Sequence, residues 1–97
     1  LPQISKKSEP VYHLFPIFSK YRDSLKEYLK QNEIESGIHY PILITDQIAL
    51  KNVPHKIFGK LNNAKKITKQ ELSLPINPII SKEEAQQIVN ICNNWKI

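Results

Sequence analysis

Side chains that could carry chemistry are few in this chain: three histidines, one cysteine and 9 acidic residues among 97. Only one histidine has an informative neighbour. His39 stands in the stretch Gly37-Ile38-His39-Tyr40-Pro41-Ile42. An imidazole beside a phenol offers hydrogen-bond donors suited to phosphate or sugar oxygens. Adjacent residues on a strand point to opposite faces, but at a strand's end the pleat relaxes and both can reach into one cleft. Pro41 then holds Tyr40 in extended backbone and fixes the direction in which the chain leaves. Pattern alone favours a plainer alternative, in which Tyr40 packs on the core and His39 is merely solvated.

The remaining candidates say less. His13 is in phase with Val11, Phe15 and Ile17 and reads as a satisfied core histidine. His55 follows Pro54 in a loop, with no partner that spacing identifies. A single cysteine, Cys92, excludes an internal disulfide and a cysteine-rich zinc site. With nothing basic placed beside it, Cys92 reads as a small buried apolar residue. Glu83 and Glu84 sit where a helix starts, and capping explains them. The sequence has no Ser-His-Asp order, no metal-ligand spacing and no Gly-rich phosphate loop. It holds no self-sufficient catalytic set.

The elements that must position His39 and Tyr40 follow from periodicity. "PVYHLFPIFS" (10–19) is rich in β-branched and aromatic residues, with apolar side chains in both phases, and predicts a strand covered on both faces for part of its length. Pro16 donates no hydrogen bond, so that strand lies at an edge or bulges there. In "RDSLKEYLKQNE" (22–33), Leu25, Tyr28 and Leu29 make one apolar stripe, and Asp23 sits near the helix start, where the dipole favours it. "IESGIHY" (34–40) predicts a second strand, parallel to the first and beside it or nearly so.

Residues 41–60 show no sustained period and read as a long functional loop. "LNNAKKITKQ" (61–70) predicts a short helix, apolar at Leu61, Ala64 and Ile67 or Thr68, and "ELSLPI" (71–76) a third strand stopped by Asn77-Pro78. In the last segment Ser81 and Glu84 form a capping box, after which Ala85, Ile88, Val89, Cys92 and Trp95 line one helical face. The order β-α-β, loop, α-β-α predicts an α+β fold: a small sheet of three strands or slightly more, with helices mainly on one face.

Composition narrows the class. Ninety-seven residues with 40% apolar content suffice for one domain with a modest core. The net charge of +5 would suit an anionic partner, but 13 of the 14 basic residues are scattered lysines, and Arg22 is the only arginine. Arginine is the residue fitted to bidentate phosphate and guanine contacts, so nucleic-acid binding is not expected. No apolar run is long enough to span a membrane. The chain contains no Met and begins "LPQISKKSEP", which reads as a piece of a longer protein with residues 1–9 as a polar linker.

From Pro10 onward, the order of "VYHLFPI", "LKEYLKQNEIESGIHYPI", Gln47-Ile48-Ala49-Leu50, "AKKITKQELSLPINP" and "ISKEEAQQIV" resembles the C-terminal part of sugar-nucleotide aminotransferases of the DegT/DnrJ type. "GIHYP" and "LSLPI" are its most specific pieces. That family uses pyridoxal phosphate on the aspartate-aminotransferase fold. The resemblance implies that residues 10–97 are the small C-terminal domain and residues 1–9 the linker from a missing N-terminal large domain. It implies a homodimeric parent that moves an amino group from an amino acid, typically glutamate, to a keto-sugar nucleotide in polysaccharide or deoxysugar biosynthesis; the single cysteine and the lack of a membrane-length apolar run make a reducing, cytoplasmic setting the default.

The same resemblance puts the cofactor's lysine and phosphate contacts in the large domain. This chain alone is then expected to hold no pyridoxal phosphate and to be inactive, with no catalytic residue of its own. His39 and Tyr40 fall near the nucleotide-sugar side and are implied to bind substrate. Family members commonly read Pro-Ile-Pro-x-His-x-Gln after the tyrosine, whereas this chain reads Pro41-Ile42-Leu43-Ile44-Thr45-Asp46-Gln47. Leu43 replaces the second proline and Thr45 the histidine, so that histidine's sugar contact does not carry over. The competing function is a free-standing basic interaction module without catalysis.

Overall fold

Strand β1 (Phe15–Phe18) pairs antiparallel with strand β2 (Glu71–Leu74), Phe15 opposite Leu74 and Phe18 opposite Glu71. These contacts come from a computed structural model that describes residues 3–97. Pro16 faces Ser73, and Ser73 turns both backbone groups the other way: its N–H donates to Gly37 at 2.8 Å and its carbonyl accepts from Gly37 at 3.0 Å. No donor is therefore asked of Pro16, which fits its place in an edge strand.

The sheet has two strands, not three or more. Residues 34–40 make one isolated antiparallel bridge, Gly37 to Ser73, and β2 lies between them and β1. They run parallel to β1, since both oppose β2, but they are not its neighbour. The ladder stops after one pair because the next position is diverted. There the His39 N–H donates to the Glu71 side chain at 2.6 Å, and the Glu71 carbonyl accepts from Arg22 Nη1 at 3.1 Å.

Helix α1 (Arg22–Gln31) buries Leu25 and Leu29, as its stripe requires, with Asp23 in its first turn. Its end is a Schellman turn: the Ile34 N–H bonds the Leu29 carbonyl, the Glu33 N–H bonds the Lys30 carbonyl, and Glu33 takes φ of 63°. The accompanying apolar contact joins Leu29 to Ile34. With Leu25 and Leu72 these two make the buried core, and Ile17, Tyr28, Leu74, Ile88, Cys92 and Trp95 pack around it.

Helix α2 (Asn62–Gln70) leads straight into β2, with half-buried Thr68 rather than exposed Ile67 on its inner side. Helix α3 (Lys82–Asn94) carries the predicted capping box. The Glu84 N–H donates to Ser81 Oγ at 3.1 Å, and the Ser81 N–H donates to Glu84 Oε2 at 2.8 Å. The packed face of α3 is rotated from the predicted one. Ile88, Ile91 and Cys92 meet the core, and Trp95 joins them from just past the helix end. Ala85 and Val89 instead line an open apolar groove with Phe15, Leu74, Pro75 and Ile80.

Two further expectations fail at the start of the chain. The strand begins at Phe15, because Tyr12 adopts φ of 47° and breaks the extended run. His13 therefore lies outside the strand and is exposed, not a core residue, and β1 is only half-buried where two covered faces were expected. The linker predicted over 1–9 includes residues 1 and 2, which lie outside the described residues; residues 3–9 are exposed. Residues 41–60 form a loop with two short 3-10 turns, Ile44–Asp46 and Ile48–Leu50. Asn77 Oδ1 accepts from the Ile79 and Ile80 amides, which turns the chain after β2 as Asn-Pro predicts. Among the described residues, no helix is long and apolar enough to cross a membrane.

Candidate functional site

Both halves of the plainer reading of His39–Tyr40 are reversed. Tyr40 is 70% exposed and His39 is the anchored member. The two rings meet edge to face at 5.3 Å between centroids. His39 is held at two points, its backbone N–H on Glu71 Oε2 and its Nδ1 3.0 Å from Ser73 Oγ. The ring lies over Gly37, where an added Cβ would come 2.6 Å from His39 Cε1. The glycine in "GIHYP" is thus required by the histidine two residues later, which needs the space.

Glu71 and Ser73 are the functional candidates that sequence reasoning missed. Each is on the β2 face opposite Leu72. Both are buried, at 3% and 4% exposure, and the Ser73 hydroxyl donates to Glu71 Oε1 at 2.6 Å. Period-2 alternation assigns them to the polar face of β2. Nothing local signals that His39, 32 positions from Glu71 and 34 from Ser73, will cover that face.

Beyond Tyr40 the chain borders an opening that neither His39 nor Tyr40 lines. Pro41, Leu43, Asp46, Arg22, Lys65 and Thr68 line an opening of about 430 Å³. Arg22 spans its base through Nη1, which donates to the Thr68 and Glu71 carbonyls. Thr45, standing where the family carries histidine, bonds its neighbour Asp46 at 3.1 Å. His55 is exposed and bonds the Val53 carbonyl, away from His39's partners. Cys92 is half-buried, and burial pushes its thiol above the ordinary value, which suppresses thiolate chemistry. No cluster of His, Cys, Asp and Glu suited to a metal ion occurs among the described residues.

A two-stranded sheet, three helices and a histidine anchored at the end of a bridging segment make a mixed α/β fold. Residues 1–93 match the DegT/DnrJ/EryC1/StrS aminotransferase family, and the chain belongs to it. Over 95 residues it is 32% identical to the dTDP-3-amino-3,6-dideoxy-alpha-D-galactopyranose transaminase of Aneurinibacillus thermoaerophilus, covering 98% of this chain and 25% of that enzyme. It is 30% identical over 97 residues to the dTDP-3-amino-3,4,6-trideoxy-alpha-D-glucose transaminase of Streptomyces venezuelae, with 98% and 25% covered. The crystal structure of S. venezuelae DesV in complex with a ketimine intermediate matches with a TM-score of 0.86 and 30% identity, over 98% of this chain and 25% of that one. The chain spans about a quarter of the length of the relatives it matches.

Proposed function

We propose that this chain is the C-terminal small domain of a sugar-nucleotide aminotransferase, with residues 10–97 as the domain and residues 1–9 leading in from a large domain. The parent moves an amino group from an amino acid, glutamate, to a keto-sugar nucleotide for deoxysugar or polysaccharide biosynthesis, as a cytoplasmic homodimer. The observation that carries this is the match of 98% of the chain to two dTDP-sugar transaminases in sequence, beside a match of 98% of the chain to DesV in fold. His39 and Tyr40 are its substrate-binding residues. In support, one ring is anchored from below and the other projects from the surface.

Pyridoxal phosphate, which the family implies, needs an amine held in a desolvated pocket. The lysines of this chain do not fit that role. All are exposed except Lys26, which is only half-buried. We therefore assign the cofactor's lysine to the rest of the parent and derive no step through the cofactor here. Two results test the proposal. The enzyme containing this chain, given glutamate and a dTDP-linked keto-sugar, should yield an aminated sugar nucleotide by mass spectrometry. The 97-residue chain alone, mixed with pyridoxal phosphate and borohydride, should label no single defined lysine. A missing product, or a stable Schiff base on one lysine of the chain alone, would contradict it.

A further inference from the structure

The bonds around Glu71 form a directed chain. His39 Nδ1 lies 3.0 Å from Ser73 Oγ, and Ser73 Oγ lies 2.6 Å from Glu71 Oε1. Glu71 accepts through both of its oxygens, Oε1 from the Ser73 hydroxyl and Oε2 from the His39 amide. A carboxylate can only accept, and a serine hydroxyl has one hydrogen to give. Ser73 gives it to Glu71 and presents only lone pairs to His39. Nδ1 must therefore be the donor in that contact. In a neutral imidazole the other nitrogen, Nε2, then carries no hydrogen. Nε2 has no hydrogen-bond partner among the described residues.

We infer that Glu71 and Ser73 are positioning residues that lock His39 in its Nδ1–H tautomer, so that Nε2 accepts a hydrogen bond from a hydroxyl of the sugar nucleotide. The inference rests on the substrate-facing role proposed for His39. It changes the chemistry expected from sequence, where the imidazole is grouped with donors to phosphate or sugar oxygens. A neutral His39 in this tautomer has no ring hydrogen left for a phosphate oxygen, but it fits a sugar hydroxyl. Burial gives the lock its rigidity: both positioning side chains are more than nine-tenths shielded, and the Glu71 carboxylate also accepts the His39 amide.

The tautomer can be read directly. The chain carrying nitrogen-15 histidine, in mildly alkaline buffer, is measured by long-range proton–nitrogen correlation NMR. His39 should carry its hydrogen on Nδ1. His55 is an internal control, because its Nδ1 must donate to the Val53 carbonyl at 2.7 Å and owes nothing to Ser73. Ser73→Ala should move His39 toward Nε2–H and leave His55 unchanged, and Ser73→Thr, which keeps the hydroxyl, should restore the wild-type tautomer. In the active enzyme containing this chain, Ser73→Ala should raise KM for the sugar nucleotide by roughly five- to tenfold, with kcat changed much less. A wild-type His39 protonated on Nε2 overturns the inference by itself, even if a variant fails to fold. An unchanged KM in Ser73→Ala overturns its substrate half. Neither result stops the enzyme from aminating a keto-sugar, so failure here is separable from failure of the proposed function.

Discussion

The two faces of β2 are made by the same alternation and closed in different ways. Leu72 and Leu74 look toward α1 and α3 and join the apolar core. Glu71 and Ser73 look the other way, and His39 covers them through hydrogen bonds. One face is closed by packing that the helices' own apolar stripes announce. The other is closed by polar partners brought from a distant stretch of chain. Alternation assigns residues to faces; topology decides what covers them.

Two substitutions probe this contrast directly. The largest effect belongs to the apolar face. Leu72 is fully buried, and Leu72→Ala should cost about 2–5 kcal/mol in chemical denaturation. A cost below about 1 kcal/mol would mean that the face collapses freely and that the contrast is wrong. On the polar face, Gly37→Ala puts a methyl against the His39 ring and should cost about 1–3 kcal/mol through overpacking. It should also displace the ring, so the His39 tautomer signal should change while Leu72→Ala variants that remain folded keep it.

Away from β2, Ser81→Ala removes the α3 cap and should cost about 0.5–2 kcal/mol. The smallest effect is one of pH. Bonds from the Ser81 backbone N–H and then from its hydroxyl hold the Glu84 carboxyl below its ordinary value. A folded-state value lower than the unfolded one means that the stabilisation is present above the unfolded value and is lost as pH falls through the folded one. Stability of the wild type should therefore decline in acid more than that of Glu84→Gln, which has no carboxyl to protonate. Parallel acid titrations of the two would contradict the capping box.

What the sequence made legible was local. The capping box of α3 spans four residues, and the α1 stripe and Asp23 lie within one helix; all three stand as predicted. The 34–40 segment was harder, because its strand-like pattern cannot show that its next pairing position goes to the Glu71 side chain and Arg22. His13 shared a phase with apolar neighbours, but one residue in a left-handed conformation, Tyr12, took it off the strand. The α3 face was misjudged by about one position, since Trp95 packs from beyond the helix and Ile91 replaces Val89 inside. At the site, "GIHYP" pointed to His39 and Tyr40. The roles of Glu71 and Ser73 were invisible, because a polar residue on an alternating strand reads as solvated whether or not something covers it.

The central claim is that His39 faces the sugar nucleotide in the parent enzyme. Steady-state kinetics of His39→Ala, with the amino donor saturating, test it most directly. Leaving the substrate's partner group unsatisfied should cost about 1–3 kcal/mol. At about 1.4 kcal/mol per tenfold, KM for the sugar nucleotide should rise by roughly five- to a hundredfold. If the proposed contact is remote from the reacting carbon, kcat should change less, and the cofactor's absorbance should not change at all. An unchanged KM for the sugar nucleotide would contradict the account and return His39 to a purely structural part in the cover of β2.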